Sequence, residues 1–122
     1  MRPNIFISKI ILNNFRSHEN FSIDSSSKNI VLFGKNGVGK TNILESISLL
    51  SPGRGLRNAK NDEIINKKND INYGLTADVK LNDSSIKIQK IYIKDNPHKS
   101  KLLIDDEKSK TSDLLNFLRV IW

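Results

Sequence analysis

The sequence of 122 residues predicts an α/β fold, and three observations support this expectation. A continuous apolar run at residues 29–33 is typical of a strand buried on both faces of a sheet. A glycine-rich segment at residues 34–39 follows directly and leads into apolar residues at helical spacing. Farther along, apolar and polar residues alternate over residues 75–81, as in a half-buried antiparallel strand. We therefore expect a mixed sheet with an attached antiparallel meander, packed against helices.

The N-terminal segment predicts a pair of antiparallel strands. Residues 5–12 are mostly apolar and branched, and Asn13 and Asn14 follow them, so we expect a strand that ends in a turn at the asparagines. Residues 21–23 are the candidate partner strand. The polar loop at residues 24–28 then separates this pair from the buried strand at residues 29–33.

A helix is predicted directly after the glycine-rich segment. Four apolar residues share one face at helical spacing, namely Ile43, Leu44, Ile47 and Leu50. The sequence Ser-Pro-Gly at residues 51–53 ends this helix. Residues 54–72 are polar and basic, with Ile64 and Ile65 as their strongly apolar pair, so a loop with one short helix is expected there.

Three further strands form the predicted meander. They are expected at residues 75–81, 86–93 and 102–104, with a turn at residues 82–85 and with Asp-Asn-Pro at residues 95–97 ending the second strand. The apolar residues of the second strand change phase between Ile88 and Ile91, which indicates either a bulge or a strand with apolar residues covered on both faces.

The C-terminal residues predict one more helix and the start of another strand. Residues 112–118 favour a short helix with Ser112 or Thr111 as its N-cap, and residues 120–122 begin a new apolar run. Because native termini are usually polar and exposed, we expect the 122 residues to be a fragment of a longer chain. Its expected parts are a core at about residues 1–57, the meander at about 73–104, and the last helix and strand at 111–122.

Composition and charge exclude several kinds of site. The chain has no cysteine and only two histidines, His18 and His98, so it lacks the ligands for a thiolate or histidine-built metal centre. No apolar run reaches the length of a bilayer span and no signal peptide is recognisable, so a cytoplasmic protein with no membrane partner is expected. The net charge of +7 suits a polyanionic partner, although a general lysine-rich composition gives the same balance.

Eight consecutive residues fit the phosphate-binding loop motif (P-loop, or Walker A) G-x-x-x-x-G-K-[ST] in full. They are Gly34, Lys35, Asn36, Gly37, Val38, Gly39, Lys40 and Thr41. The glycines allow consecutive backbone N–H groups to point at phosphate oxygens. Lys40 would place a positive charge at the β- and γ-phosphates, and Thr41, at the helix N-terminus, would offer its hydroxyl to Mg²⁺. Asn36 either reaches a γ-phosphate or only tolerates left-handed backbone geometry.

Two acidic candidates for catalysis have simpler interpretations. Glu45 lies one helical turn beyond Thr41, where we expect a solvated or helix-stabilising role rather than a general base. Residues 102–107, Leu-Leu-Ile-Asp-Asp-Glu, resemble the apolar strand and acids that hold Mg²⁺ and a water in many ATPases. Only three apolar residues precede the acids, however, so a strand that ends in a polar turn is the preferred interpretation.

The remaining candidates are basic or imidazole side chains. His18 and His98 are expected to be surface residues, because neither belongs to a recognisable pair of nucleophile and base. Four basic residues flank the loop and the helix, namely Lys35, Arg54, Arg57 and Lys60. This cluster is either solvated charge or a contact for DNA phosphates.

Three segments together resemble the RecF family of bacterial DNA replication and repair proteins. The first is Asn13-Asn14-Phe15-Arg16-Ser17-His18, the second is residues 34–47, and the third is residues 50–57. The "NFR" and "NGxGKTNxLE" elements are typical of the wider group of ABC-type ATPase heads that includes the SMC and Rad50 proteins. The Gly-Arg-x-x-Arg element after the helix narrows the resemblance to RecF. The resemblance is strong over residues 10–57. Beyond residue 57 it rests only on the pattern of apolar and polar residues.

This resemblance implies an ABC-type ATPase head that binds DNA in an ATP-dependent manner. It implies a homodimer that holds ATP between its two heads, prefers single-stranded or gapped DNA, and acts with RecO and RecR in recombinase loading and the SOS response. Lys40 and Thr41 would then hold ATP and Mg²⁺, and Arg16 of the "NFR" element would lie near the nucleotide, unless it is only a cation at the end of a strand.

The family's signature motif and Walker B acids are not evident in these residues. We therefore expect weak ATPase activity from the full-length protein and no unaided hydrolysis by this chain. Three alternatives remain open: a small-molecule or nucleoside kinase that uses the same loop, another SMC-like ATPase, and a DNA-binding module without catalysis.

Overall fold

The computed structural model describes residues 5–25, 39–53, 55–66, 68, 72–94 and 100–117. Within these residues, six strands form one sheet in the order β2-β1-β3-β4-β5-β6, and every pair of neighbours is antiparallel. The strands are β1 (Ile5–Phe15), β2 (His18–Asp24), β3 (Asn72–Leu81), β4 (Ser84–Ile93), β5 (Lys101–Ile104) and β6 (Glu107–Lys108). The helices are α1 (Lys40–Ser48), α2 (Asn61–Ile64) and the 3₁₀ helix Thr111–Asn116.

The predicted α/β fold is confirmed, and so is the antiparallel meander of β3, β4 and β5. The predicted short helix between residues 54 and 72 is α2, and residues 21–23 pair with β1 as expected. The predicted buried strand at residues 29–33, the Asp-Asn-Pro stop at 95–97 and the apolar run at 120–122 lie outside the described residues. Among the described helices the longest has nine residues, too short to cross a bilayer.

The strand β1 extends three residues farther than the sequence predicts. The turn lies at Arg16 and Ser17, and Phe15 pairs with His18 across it. The reason is long-range: Phe15 is fully buried and forms a bridge with Ile65. Residues of the α2 region therefore hold the end of β1 in extended form, and the prediction of a turn at the two asparagines is wrong.

One face of the sheet forms the hydrophobic core. Its buried residues alternate along β3 and continue across the neighbouring strands, as Tyr73, Leu75, Ala77, Val79, Ile10, Leu12, Ile88, Leu102 and Ile104. Phe15, Leu49, Leu50 and Leu114 pack into the same cluster. Each large apolar side chain buried in this way contributes about 1.5–3 kcal/mol, so this face dominates the stability of the sheet.

The phase change along β4 has a different origin from a bulge. The strand pairs with β3 without interruption, from Ser84 opposite Leu81 to Ile93 opposite Asn72, so of the two predicted explanations the bulge is excluded. Ile91 and Ile93 lie half-buried on the opposite face from Ile88. Because of this change of phase, Lys90 lies on the same face of β4 as Ile88, the face toward the core.

The helix α1 buries a more polar face than expected. Ile43 and Leu50 are buried, but Leu44 is 50% exposed, so the predicted apolar face is wrong at that residue. Glu45 and Ser46 are fully buried instead. The buried polar side chains have partners: Ser46 Oγ donates to the carbonyl of Ile43 over 2.6 Å, and Glu45 meets an arginine described below.

The 3₁₀ helix also begins differently from the prediction. Lys110 occupies the N-cap position, rather than Thr111 or Ser112. The carboxylate of Asp113, within the helix, accepts a hydrogen bond from the backbone N–H of Lys110 over 2.9 Å. This bond caps the N-terminus of the helix. Leu114 anchors this helix in the core, and residue 118 lies outside the described part of the chain.

Candidate phosphate-binding site

The last three residues of the motif form the start of α1. Gly39 is the N-cap, with a left-handed φ of 92°, and Lys40 and Thr41 open the first turn. The side chain of Thr41 is exposed, and no acidic residue stands in the first turn. The N-terminal backbone dipole is therefore not neutralised by a carboxylate, which favours an anion there. The other predicted loop residues lie outside the described part, namely Gly34, Lys35, Asn36, Gly37 and Val38.

The turn between β1 and β2 packs tightly against Gly39. A Cβ atom at Gly39 would lie 2.6 Å from His18 Nε2 and 2.8 Å from Ser17 Oγ. Glycine is therefore favoured at this position for two reasons, the left-handed φ and the close approach of the two side chains. His18 Nε2 lies 3.2 Å from the carbonyl oxygen of Gly39, and its ring packs on Phe21 with centroids 5.0 Å apart. His18 is half-buried, so part of the residue remains at the surface; His98 lies outside the described residues.

The carboxylate of Glu45 is completely buried and forms an ion pair with Arg16. Arg16 Nε donates to Oε1 over 2.8 Å and Nη2 donates to Oε2 over 2.9 Å. Arg57 Nη1 lies 3.5 Å from Glu45 Oε1. Two guanidinium groups therefore compensate one buried charge, and the hydrogen bond to Glu45 raises the pKa of Arg16 against the opposing effect of burial. Of the two roles predicted for Glu45, the solvated one is wrong, because the side chain is fully buried.

Asn42, on α1, links the helix to the β1–β2 turn and to the loop that carries Arg57. Its Nδ2 donates to Ser17 Oγ over 2.7 Å, and its Oδ1 accepts from Arg57 Nη1 over 2.8 Å. We call the five residues Arg16, Ser17, Asn42, Glu45 and Arg57 the Glu45 network. It joins three separate segments of the chain at the beginning of α1, and so fixes the helix that carries Lys40 and Thr41.

A pocket of about 550 Å³ opens beside this network. Its lining includes Arg16, Ser17, Asn42 and Arg57 together with Glu63 and Lys68. The structure thus brings Arg16 to the same end of α1 as Lys40 and Thr41. The pocket reaches the first turn of α1 at Asn42.

The acids at residues 105–107 belong to a hairpin. Asp105 and Asp106 form a two-residue turn between β5 and β6, with φ angles of 50° and 67°. Both are exposed, and Asp105 Oδ1 accepts the backbone N–H of Lys87 over 2.8 Å. The interpretation as a polar turn is confirmed. The turn lies at the β6 edge of the sheet, while the β1–β2 turn that contacts α1 lies at the β2 edge.

The structure describes two residues of the predicted basic cluster, and they line different pockets. Arg57 belongs to the Glu45 network, while Lys60 is exposed and lines a different pocket. Lys35 and Arg54 lie outside the described residues. Arg57 is exposed to solvent and at the same time contacts a buried carboxylate.

Sequence reasoning missed the roles of Ser17, Asn42 and the buried Glu45. One signal was available: Glu45 lies among apolar residues in a helix, and the same family-like segments carry Arg16 and Arg57. A carboxylate in such surroundings needs a cation, because an unpaired buried charge is strongly unfavourable. Which arginine it meets depends on the tertiary fold.

Comparisons with known proteins agree with this architecture. A family model described as RecF/RecN/SMC N terminal domain matches residues 6–121. The chain is 34% identical over 119 residues to the DNA replication and repair protein RecF of Rickettsia akari, covering 98% of this chain and 32% of that protein. It is 34% identical over 124 residues to the RecF of Rhizobium rhizogenes, covering 100% of this chain and 33% of that protein.

Solved structures give the same result for the fold. A structure of the recombination mediator protein RecF-ATP in the RecFOR pathway superposes with a TM-score of 0.81 at 25% identity, covering 93% of this chain and 31% of that one. The corresponding RecF-ATPrS structure has a TM-score of 0.80 at 25% identity, covering 91% and 30%. The chain spans about a third of the length of the curated relatives. The fold is that of an ABC-type ATPase head, and the chain belongs to the RecF/RecN/SMC N-terminal domain family, with RecF-type DNA replication and repair proteins as its relatives.

Proposed function

We propose that this chain is the N-terminal part of an ATP-dependent DNA-binding protein of replication and recombinational repair. The observation that carries the proposal is the start of α1, where Gly39, Lys40 and Thr41 form the end of a complete phosphate-loop motif. The likeness to a RecF-ATP structure supports the choice of nucleotide. The expected division into a core at 1–57, a meander at 73–104 and a final helix and strand at 111–122 is part of this proposal.

The residues at the start of α1 suit ATP and Mg²⁺. Lys40 would contact the β- and γ-phosphates, and the exposed hydroxyl of Thr41 would be a ligand of Mg²⁺. The left-handed Gly39 directs the loop into a helix whose first turn carries no acid. The motif residues before it would complete the cradle with backbone N–H groups, namely Gly34, Lys35, Asn36, Gly37 and Val38. Bound Mg²⁺ neutralises phosphate charge.

Arg16 would act beside the nucleotide through the donors that Glu45 leaves unused. Glu45 accepts hydrogen bonds from Nε and Nη2 of Arg16, so neither of these two bonds uses Nη1 of Arg16. The guanidinium is held in one orientation by a buried partner, which reduces the conformational entropy lost when a ligand binds. Arg16 also lines the pocket beside the helix start.

The DNA-related part of the proposal rests on the relatives and on charge. The matched relatives are DNA replication and repair proteins, and the net charge of +7 favours a polyanion. We include binding of single-stranded or gapped DNA, action with RecO and RecR in recombinase loading and the SOS response, an ATP-dependent homodimer, and a cytoplasmic location. Signature and Walker B motifs would be supplied by the remainder of a full-length protein, which would be a weak ATPase, so the isolated chain should not turn over ATP.

The test is DNA binding by the full-length protein, measured on gapped duplex with and without ATP–Mg²⁺. We expect ATP to strengthen binding and Lys40→Ala to abolish that effect. Lys80→Ala is the matched control, because Lys80 is an exposed lysine on β3. Binding that ignores both nucleotide and the Lys40 substitution would contradict the proposal and favour the kinase or the non-catalytic DNA-binding alternative.

A further inference from the structure

A second pocket of about 560 Å³ lies at the opposite end of α1. The helix has nine residues, so this pocket is about 13 Å along its axis from the phosphate loop, at a rise of about 1.5 Å per residue. It lies between Leu49, at the C-terminal end of α1, and the core-facing side of the strands β3, β4 and β5. Its polar lining comprises Lys60, Lys90, Lys101, Ser100, Ser109 and Thr111.

Lys90 occupies a position that the sheet otherwise fills with apolar side chains. Its cross-strand neighbours are Leu75 and Leu102, which are 1% and 7% exposed. A partly buried ammonium is costly without a carboxylate partner, and none pairs with Lys90 among the described residues. Burial lowers the pKa of Lys90 to about 8. A residue that breaks the local pattern in this way indicates a function beyond packing.

One bond of Lys90 is structural and leaves the rest of the ammonium available. Its Nζ donates to the carbonyl oxygen of Leu49 over 2.8 Å, which caps the C-terminal end of α1. An ammonium carries three N–H donors in tetrahedral directions. The bond to Leu49 uses one of them. Lys90 also lines the pocket, where its remaining donors could serve a ligand.

Ser100 supplies a second, independent observation. Its Oγ is buried and, among the described residues, has no hydrogen-bond partner. A buried hydroxyl without a partner is unfavourable, and natural structures usually satisfy such a group with protein, water or ligand. Ser100 lines the same pocket as Lys90, so one ligand would satisfy both groups.

The charge of the lining selects the class of ligand. Three lysines and three hydroxyl-bearing residues with small side chains border the pocket, and no aspartate or glutamate does so among the described residues. Tyr73 and Tyr92 stack beside them with ring centroids 5.6 Å apart. We propose that this pocket is a second ligand site that binds a phosphate group between Lys90 Nζ and Ser100 Oγ. The phosphate belongs either to a small phosphorylated molecule or to a DNA backbone.

The proposal is independent of the function proposed for the phosphate loop. It is tested on the full-length protein in a Lys40→Ala background, which weakens phosphate binding at the loop. Inorganic phosphate is titrated at constant ionic strength against chloride, and binding is followed by calorimetry at pH 7. We expect saturable binding that weakens about tenfold in Lys90→Gln, the effect of losing one charge-assisted hydrogen bond.

Two further variants separate ligand binding from folding. Ser100→Ala keeps the bond between Lys90 and Leu49, so we expect weaker phosphate binding with an unchanged melting temperature. Lys87→Gln is the matched control, because Lys87 lies on the same strand but on the opposite face, where it pairs with Asp106 over 3.6 Å. Equal affinity in the Lys90, Ser100 and Lys87 variants, or phosphate no better bound than chloride, would overturn the proposal.

Competition identifies the source of the phosphate. Displacement of inorganic phosphate by ribose 5-phosphate, but not by a single-stranded oligonucleotide, supports a small phosphorylated ligand. Displacement by the oligonucleotide at a lower concentration supports a DNA backbone. Both results support the proposed site, provided that Lys90→Gln weakens binding of the competitor as much as it weakens binding of inorganic phosphate.

Discussion

Arg16 binds Glu45 through two parallel hydrogen bonds, 2.8 Å from Nε to Oε1 and 2.9 Å from Nη2 to Oε2. Arg16 lies in the turn between the first two strands, and Glu45 lies on the helix that begins with Lys40 and Thr41. Because planar bidentate geometry restricts both side chains, this pair sets the position of α1 against the edge of the sheet. The candidate phosphate site therefore depends on a contact that involves no phosphate-binding residue of the loop.

Removing the buried carboxylate should destabilise the protein strongly. Glu45→Ala leaves Arg16, whose side chain is only 22% exposed, without its partner. We expect a loss of about 3 kcal/mol in the free energy of unfolding, as for other broken buried ion pairs. Urea denaturation measures this loss. Glu107→Ala, at an exposed carboxylate on β6, is the control and should change stability by less than about 0.5 kcal/mol. Equal effects of the two substitutions would contradict the assigned role.

Gly39→Ala should damage the start of α1 more than backbone strain alone explains. The new Cβ would meet His18 and Ser17 at less than 3 Å in a residue with φ of +92°. Gly53→Ala is a close control, because Gly53 has φ of +111° but nothing within 4 Å of the Cβ position. We expect about 1–2 kcal/mol for Gly53→Ala from left-handed strain and a clearly larger loss, with weaker ATP binding, for Gly39→Ala. Thermal melting and nucleotide titration measure these effects, and similar melting temperatures for the two variants would argue against the contact.

Stability should rise with pH between about 8 and 10. The pKa of Lys90 is about 8 in the folded chain, against 10.5 ordinarily, so in this window the unfolded chain binds more protons. By linkage, raising the pH then favours the folded state, by up to about 3 kcal/mol over the full shift. Among the described residues, the titratable groups that line the pocket with Lys90 are Tyr73, Tyr92, Lys60 and Lys101.

Above pH 10 the trend should reverse. Burial raises the pKa of Tyr73 from 10.0 to about 12, so here the folded chain binds more protons and further alkali favours unfolding. Urea denaturation from pH 7 to 11 should therefore show a maximum near pH 10. Lys90→Met should remove the rise, while Lys80→Met at an exposed site should retain it. Parallel curves for these variants would show that Lys90 does not titrate as described.

Replacing the acids of the β5–β6 turn should leave nucleotide binding intact. Asp105→Asn keeps the acceptor for the Lys87 N–H, and Asp106→Gly relieves a left-handed φ of 67°. Asn-Gly suits this two-residue turn, so we expect a gain of about 0.5–1 kcal/mol in unfolding free energy. ATP affinity in Mg²⁺ should be unchanged in the full-length double variant. A marked loss would revive the interpretation of these acids as Mg²⁺ ligands.

Features that depend on neighbours in the chain could be predicted from the amino-acid sequence alone. The alternation at residues 75–81 predicted β3, because side chains on successive strand residues point to opposite faces. The motif ending in Lys40 and Thr41 predicted a helix start, and the structure begins α1 at Lys40. Asp105 and Asp106 predicted a turn for the same local reason.

Contacts between residues far apart in the chain depend on the three-dimensional fold. Arg16 and Glu45 are 29 residues apart, and Lys90 and Leu49 are 41 apart, so no periodic pattern relates them. The end of β1 was likewise set by its bridge to Ile65 and not by its two asparagines. Local spacing determines which face a side chain occupies, but burial and charge pairing depend on what the fold places opposite that face. For this reason the buried Glu45 and the core-facing Lys90 became visible only in three dimensions.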